Sequence, residues 1–117
     1  MQRASFTREE RLRHSKEFLR AKKEGKRHLA ESFVIYTAPN TLGARRLGIS
    51  AGSRVGAAAR RNRIKRLLKE FFRLNKNLFP ESSDILISVK KTTAVKNYGD
   101  IEKELKGLFK TPGHGYV

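Results

Sequence analysis

Cysteine is absent from this chain of 117 residues, so disulfides and thiolate metal sites are excluded. Tryptophan is absent too, and methionine occurs only once. Acids are scarce: 11 Asp and Glu stand against 27 Lys and Arg, for a net charge of +16. A metal-dependent nuclease needs converging carboxylates, and few are available here. Asp84 and Asp100 border the last strand and helix, but no spacing forces them together. Replacing both with Asn is expected to leave activity intact. No serine sits in a nucleophile motif. His14, His28 and His114 are scattered, none with a second ligand at metal spacing. No apolar run approaches the roughly 20 residues of a membrane span. Met1-Gln2-Arg3-Ala4 lacks the apolar core of a secretory signal. The expectation is a cytoplasmic protein with no membrane partner and no catalytic side chains of its own.

What is present is positive charge on a periodic frame. From Arg60 to Lys76 there are eight basic residues and one acid, Glu70. Ile64, Leu67, Leu68, Phe71 and Phe72 recur at helical spacing and make one apolar face. Asn62, Lys65, Arg66, Lys69 and Arg73 fall on the opposite side. A charged helix face is ordinarily plain solvated surface, but such faces mix signs to gain i,i+4 pairs. This stripe repels itself, which favours a polyanionic partner. An anionic membrane or a helix-binding groove would also accept a basic amphipathic helix. The strand-like segments on either side instead commit the apolar face to a protein core.

The chain suits one domain spanning 1–117, with an ordered core over about 5–110 and a flexible tail at 111–117. Thr7 and Glu10 form a capping box that starts a short turn. Ser15 can cap a helix to Glu24, which Gly25 stops. Phe18 on that helix is either a core residue or a base-stacking platform. Lys26 to Ala30 is a candidate edge strand. Residues 32–38 alternate as a strand, with Phe33 and Ile35 on one face and Val34 and Tyr36 on the other. Pro39 to Gly43 reads as a turn, so Arg45 to Ala51 is expected to pair back as a hairpin. Gly52 and Gly56 lead into the long helix and could expose backbone N–H groups to an anion. Asp84 to Lys90 is a nearly continuous apolar run, as in a strand covered on both faces. Asn97 can cap a last helix carrying Tyr98, Ile101, Leu105 and Leu108. Asn62 lies within Arg61-Asn62-Arg63. Its amide either offers a donor and an acceptor beside the phosphate-binding arginines or satisfies backbone near the helix start.

Arg61-Asn62-Arg63, followed by Lys65-Arg66, Phe71 and Arg73, resembles the signature of the bacterial ribonuclease P protein component. Phe6 to Arg13, the helix from Ser15, Phe33-Val34-Ile35-Tyr36 and Arg46-Leu47-Gly48-Ile49-Ser50 also fall where that family has them. The resemblance implies an α+β fold, a two-layer αβββαβα sandwich of ribosomal-protein-like topology with a left-handed βαβ crossover. It implies a subunit that binds a catalytic RNA and the 5′ leader of precursor tRNA, one protein monomer per RNA. The RNA would perform the endonucleolytic hydrolysis with Mg2+, held mainly by RNA. Carried over by position, leader contacts fall on Phe18, Tyr36, Arg61, Asn62 and Lys65. Arg60, Arg63, Arg66, Lys69 and Arg73 face the RNA subunit. Two positions depart from the family pattern. Lys22 stands where a second aromatic often follows Phe18, and Ser53-Arg54 stands where paired lysines are common.

Overall fold

A computed structural model describes residues 7–109. The expectations for Ser5, Phe6 and the tail at 111–117 lie outside the described residues. The described chain runs α1 (Ser15–Glu24), β1 (Lys26–Leu29), β2 (Phe33–Pro39), β3 (Arg46–Ser50), α2 (Ala58–Leu74), β4 (Ser83–Val89) and α3 (Tyr98–Phe109). This is the expected αβββαβα order. Short 3-10 turns at Arg8–Glu10, Ser53–Val55 and Lys76–Leu78 join the elements.

The local signals act as their chemistry dictates. Thr7 N–H donates to the Glu10 carboxylate at 2.8 Å, which satisfies a free donor at the turn start. The start of α1 is capped differently from the expectation. Its cap residue is His14, and the Glu17 carboxylate accepts the N–H groups of Arg13 and His14, each at 3.2 Å. Asn97 caps α3, accepting the Asp100 N–H at 3.0 Å, while Asp100 reaches back to the Lys96 N–H at 2.8 Å.

The sheet order is β1-β2-β4-β3. The expected β2–β3 hairpin does not form, because β4 inserts between those strands. It pairs antiparallel with β2, from Phe33↔Val89 to Pro39↔Ser83, and parallel with β3, from Arg46↔Asp84 to Ser50↔Ser88. The reason lies in composition. Ile85, Leu86 and Ile87 are buried on alternating faces, so β4 needs cover above and below and neighbours on both sides. The half-buried β3 tolerates an outer position. The segment after β2 is pinned to the start of β4 rather than turned back: Asn40 N–H donates to Ser82 O at 2.8 Å, and Gly43 N–H to Ser82 Oγ at 3.1 Å.

One face of the sheet carries the core. Phe33, Ile35, Leu47, Ile85 and Ile87 pack against Ile64, Leu68, Phe71 and Phe72 of α2 and Ile101 and Leu105 of α3. Phe79 meets Phe72 with ring centroids 5.5 Å apart and Phe71 at 6.4 Å. Truncating either α2 ring to Ala would cost about 3–5 kcal/mol. The other face carries Tyr36, Leu86 and Gly48 in one register row, and α1 packs on that side. The sheet thus holds α2 and α1 on opposite sides of β3, which places both beside the same open strand.

Candidate nucleic-acid interface

That shared strand explains the site. Residues Arg11 and Leu12 run beside β3 through a parallel bridge, Arg11↔Leu47, with Leu12 N–H bonded to Leu47 O at 2.9 Å. Beyond the bridge opens a cavity of about 280 Å³. It is lined by Arg11, Arg13 and Phe18 on one side, Gly48 and Ile49 of β3 as floor, and Lys65 and Lys69 of α2 on the other. Phe18 and Lys65, expected from the sequence to act together, therefore share one surface depression.

Gly48 sets the depth of that floor. A Cβ at this position would stand 2.8 Å from Phe18 Cε1 and 2.9 Å from Cζ. Only glycine lets the ring lie this close to the strand. Phe18 is half-buried, so it is held as a core residue is held while one edge still reaches the cavity. Tyr36 is half-buried on the same sheet face, in register with Gly48 across Leu86. Two strand spacings, about 10 Å, separate its backbone from that of Gly48, and it does not line this cavity.

The cations of α2 divide into two sets. Arg60 donates from Nε to Val55 O at 3.1 Å and from Nη2 to Thr93 O at 2.8 Å, with its stem over Gly56. Gly56 has φ 147°, a conformation that a side chain would strain. Arg61 donates from Nε to Gly56 O at 3.2 Å, and Arg63 from Nη2 to Lys96 O at 3.0 Å. Arg73 pairs with Glu70, Nε to Oε1 at 3.0 Å. Arg60, Arg61 and Arg63 staple loops to the helix while their guanidinium groups keep further donors, and Arg73 is tied to Glu70 within the helix. Lys65, Arg66 and Lys69 make no hydrogen bond or ion pair among the described residues. Arg66, Lys69 and Asn62 are exposed, and Lys65 is half-buried at the cavity wall. Lys65 and Lys69 are like charges at i,i+4, a repulsive arrangement that a phosphate would relieve.

The acids do other work. Asp84 is 1% exposed. It accepts Arg46 Nε at 2.8 Å and Nη2 at 2.9 Å, Asn40 Nδ2 at 2.8 Å and Arg20 Nη1 at 3.2 Å. Burial alone would raise its carboxyl, but the hydrogen bonds from Arg46 and Asn40 outweigh burial and hold it below the usual carboxylate range. Asp100 caps α3 and lines a different cavity, so the two acids do not converge. Among the described residues no three His, Asp or Glu side chains gather as a metal site. With Asp84 and Asp100 committed to arginine, amide and backbone donors, this donor set does not fit a protein-held magnesium ion. From the sequence Asp84 is weighed only as a candidate catalytic acid; its packing gives it a structural role. Sequence reasoning also missed Arg11, Arg13 and Gly48. The glycine inside an alternating strand was a readable signal of close approach; the two arginines were placed by a long-range bridge.

Known proteins carry the same pattern. The family model described as Ribonuclease P matches residues 6–113. The chain is 40% identical over 105 residues to the ribonuclease P protein component of Syntrophus aciditrophicus, spanning 90% of this chain and 88% of that one. It is 45% identical over 87 residues to that of Thermotoga maritima, spanning 74% of each. The solved Thermotoga maritima RNase P protein superposes with a TM-score of 0.76 at 36% identity, over 86% of this chain and 96% of that one. The Staphylococcus aureus RNase P protein gives 0.78 at 29% identity, over 86% and 93%. Sequence match and sheet order thus converge, and this chain belongs to the ribonuclease P protein family, a component of the ribonucleoprotein that processes tRNA.

Proposed function

We propose that this protein binds the catalytic RNA of ribonuclease P and the 5′ leader of precursor tRNA, assisting removal of the leader by the RNA subunit. The observation that carries this reading is the set of unpartnered cations Lys65, Arg66 and Lys69, two of which share a cavity with Phe18. A groove with cations on one wall and a ring on the other holds a single strand largely without regard to sequence. Leaders differ among precursors, and such tolerance is what a general processing factor needs. Lys65, with Arg61 and Asn62 one turn earlier, forms the wall toward the leader. Lys69 ends that wall and borders the RNA subunit as well, which Arg66 faces, with Arg60, Arg63 and Arg73 serving that side through their remaining donors. Tyr36 offers a second ring on the sheet face, away from the cavity.

Magnesium belongs to the RNA subunit and substrate in this reading, and the protein acts by screening phosphate charge where the two meet. One protein monomer joins one RNA, in the cytoplasm. The test is precursor tRNA cleavage with protein alone, RNA alone and both together across a magnesium titration. The expected result is no cleavage by the protein alone and a lower magnesium requirement for the pair. Efficient cleavage without the RNA would overturn the proposal.

A further inference from the structure

The first turn of α1 holds a second device beside the cavity. Arg46 of β3 is 18% exposed at its side chain and reaches two carboxylates at once. Nε and Nη2 grip Asp84 of β4 at 2.8 and 2.9 Å, and Nη1 donates to Glu17 Oε2 at 3.0 Å. Glu17 uses its other oxygen to hold the N–H groups of Arg13 and His14, the entry to α1. A continuous relay therefore runs from the central strand through Arg46 to the first turn of the helix. Arg20 adds a second tie from α1, donating to Asp84 Oδ2 at 3.2 Å and to Pro39 O at 2.7 Å.

The relay ends next to the ring. Glu17 precedes Phe18 in α1, and Arg46 lies two residues before Gly48, on the same strand face. Arg46 thus holds Glu17 where Gly48 receives Phe18. We infer that Arg46 is a positioning residue: by bridging Asp84 and Glu17 it fixes α1 on the sheet, and through it the place at which Phe18 offers its ring to the RNA leader. A lysine cannot substitute, because a single ammonium lacks the planar fork that meets both carboxylates. This inference rests on the leader-binding reading of the Phe18 cavity.

The test is a double-mutant cycle of Arg46→Lys and Phe18→Ala in the reconstituted holoenzyme. Affinity is measured for a leader-bearing precursor and for the same tRNA without a leader. Phe18→Ala is expected to weaken leader-bearing precursor about tenfold. Arg46→Lys should cost about threefold on that substrate and nothing on leaderless tRNA, with no further loss in the Phe18→Ala background. Amide hydrogen exchange should quicken in α1 and not in α2. If Arg46→Lys does not fold, Glu17→Gln removes the charged half of the bridge while its amide oxygen keeps the helix cap, and the same pattern is expected. Equal losses on both tRNAs, or full additivity with Phe18→Ala, would overturn the inference alone. A Phe18→Ala protein that binds leader normally would overturn the cavity reading and the inference together.

Discussion

Among the described residues, two groups of positive charge differ in whether the charge is answered. At the Asp84 pole, Arg20 and Arg46 meet Glu17, Glu24 and Asp84 in ion pairs of 2.8 to 3.2 Å. Along α2, Lys65, Arg66 and Lys69 meet nothing among the described residues. Both clusters add to a net charge of +16. The second offers the whole of its charge to phosphate, while the first has most of its donors engaged within the protein. A count of basic residues therefore locates a nucleic-acid binder, while pairing grades how much of each cation is left for the RNA.

The widest break in that comparison is expected at Asp84. Asp84→Ala leaves the Arg46 and Arg20 guanidinium groups facing a hole where a buried carboxylate stood. Removing one partner of a buried pair costs about 3–5 kcal/mol, with the lower end apt here because Arg20 is 39% exposed at its side chain. Urea unfolding measures it; a loss too small to resolve would remove the structural role assigned to Asp84. The pole also predicts acid sensitivity. Asp84 and Glu17 there, and Glu10 away from it beside Lys76, have carboxyls held below their ordinary values. In each, hydrogen bonds and nearby cations or backbone N–H groups outweigh the opposing effect of burial. The unfolded chain then binds protons first as pH falls. Stability from these groups is complete above pH about 5 and drains away as pH falls through the folded values. Asp84→Asn should flatten part of that acid decline.

The second test moves to the unanswered cluster. Lys65→Ala, Arg66→Ala and Lys69→Ala combined should leave the urea midpoint nearly unchanged, since none of the three holds another group. RNA affinity should fall, and the salt slope should shrink by about 0.7 for each single-strand phosphate that is no longer neutralised. A large drop in stability with an unchanged salt slope would reverse the roles assigned to the two clusters.

Much of this frame is legible in the residues themselves. The apolar stripe of α2, the alternation of Phe33 to Tyr36, the Thr7–Glu10 and Asn97–Asp100 caps and the two-sided apolar run of β4 are local, and local rules read them. The sheet order is not local. Pro39 to Gly43 looks like a hairpin turn, and only the need of β4 for neighbours on both sides displaces β3 from β2. The same run of apolar residues that identified a covered strand already implied a central one. Asp84 was opaque for a related reason: its partners Arg46, Asn40 and Arg20 lie 38, 44 and 64 residues away. Arg60 and the signature residues Arg61 and Arg63 were legible as cations, but not as donors to the Val55, Thr93, Gly56 and Lys96 carbonyls, because those loops meet α2 only in the folded chain.

The finest test lies where the two kinds of cluster meet on one helix. Arg73 belongs to the basic stripe but is answered by Glu70, the one acid from Arg60 to Lys76. Hydrogen bonding from Arg73 holds the Glu70 carboxyl below its ordinary value, so at neutral pH Glu70 is ionised and opposes the charge of Arg73 locally. Glu70→Gln removes the negative charge and keeps a side chain of the same length. An exposed pair of this kind adds little to folding, so the unfolding midpoint should barely move. If pairing is what withholds Arg73 from RNA, affinity should rise about twofold at low salt and the salt slope should steepen by less than about 0.7, one further phosphate at most. The gain should vanish in Arg73→Gln/Glu70→Gln. An unchanged affinity would mean that Arg73 points away from the RNA whatever its partner. Position on the helix, rather than pairing, would then decide which cations bind at this end of the stripe.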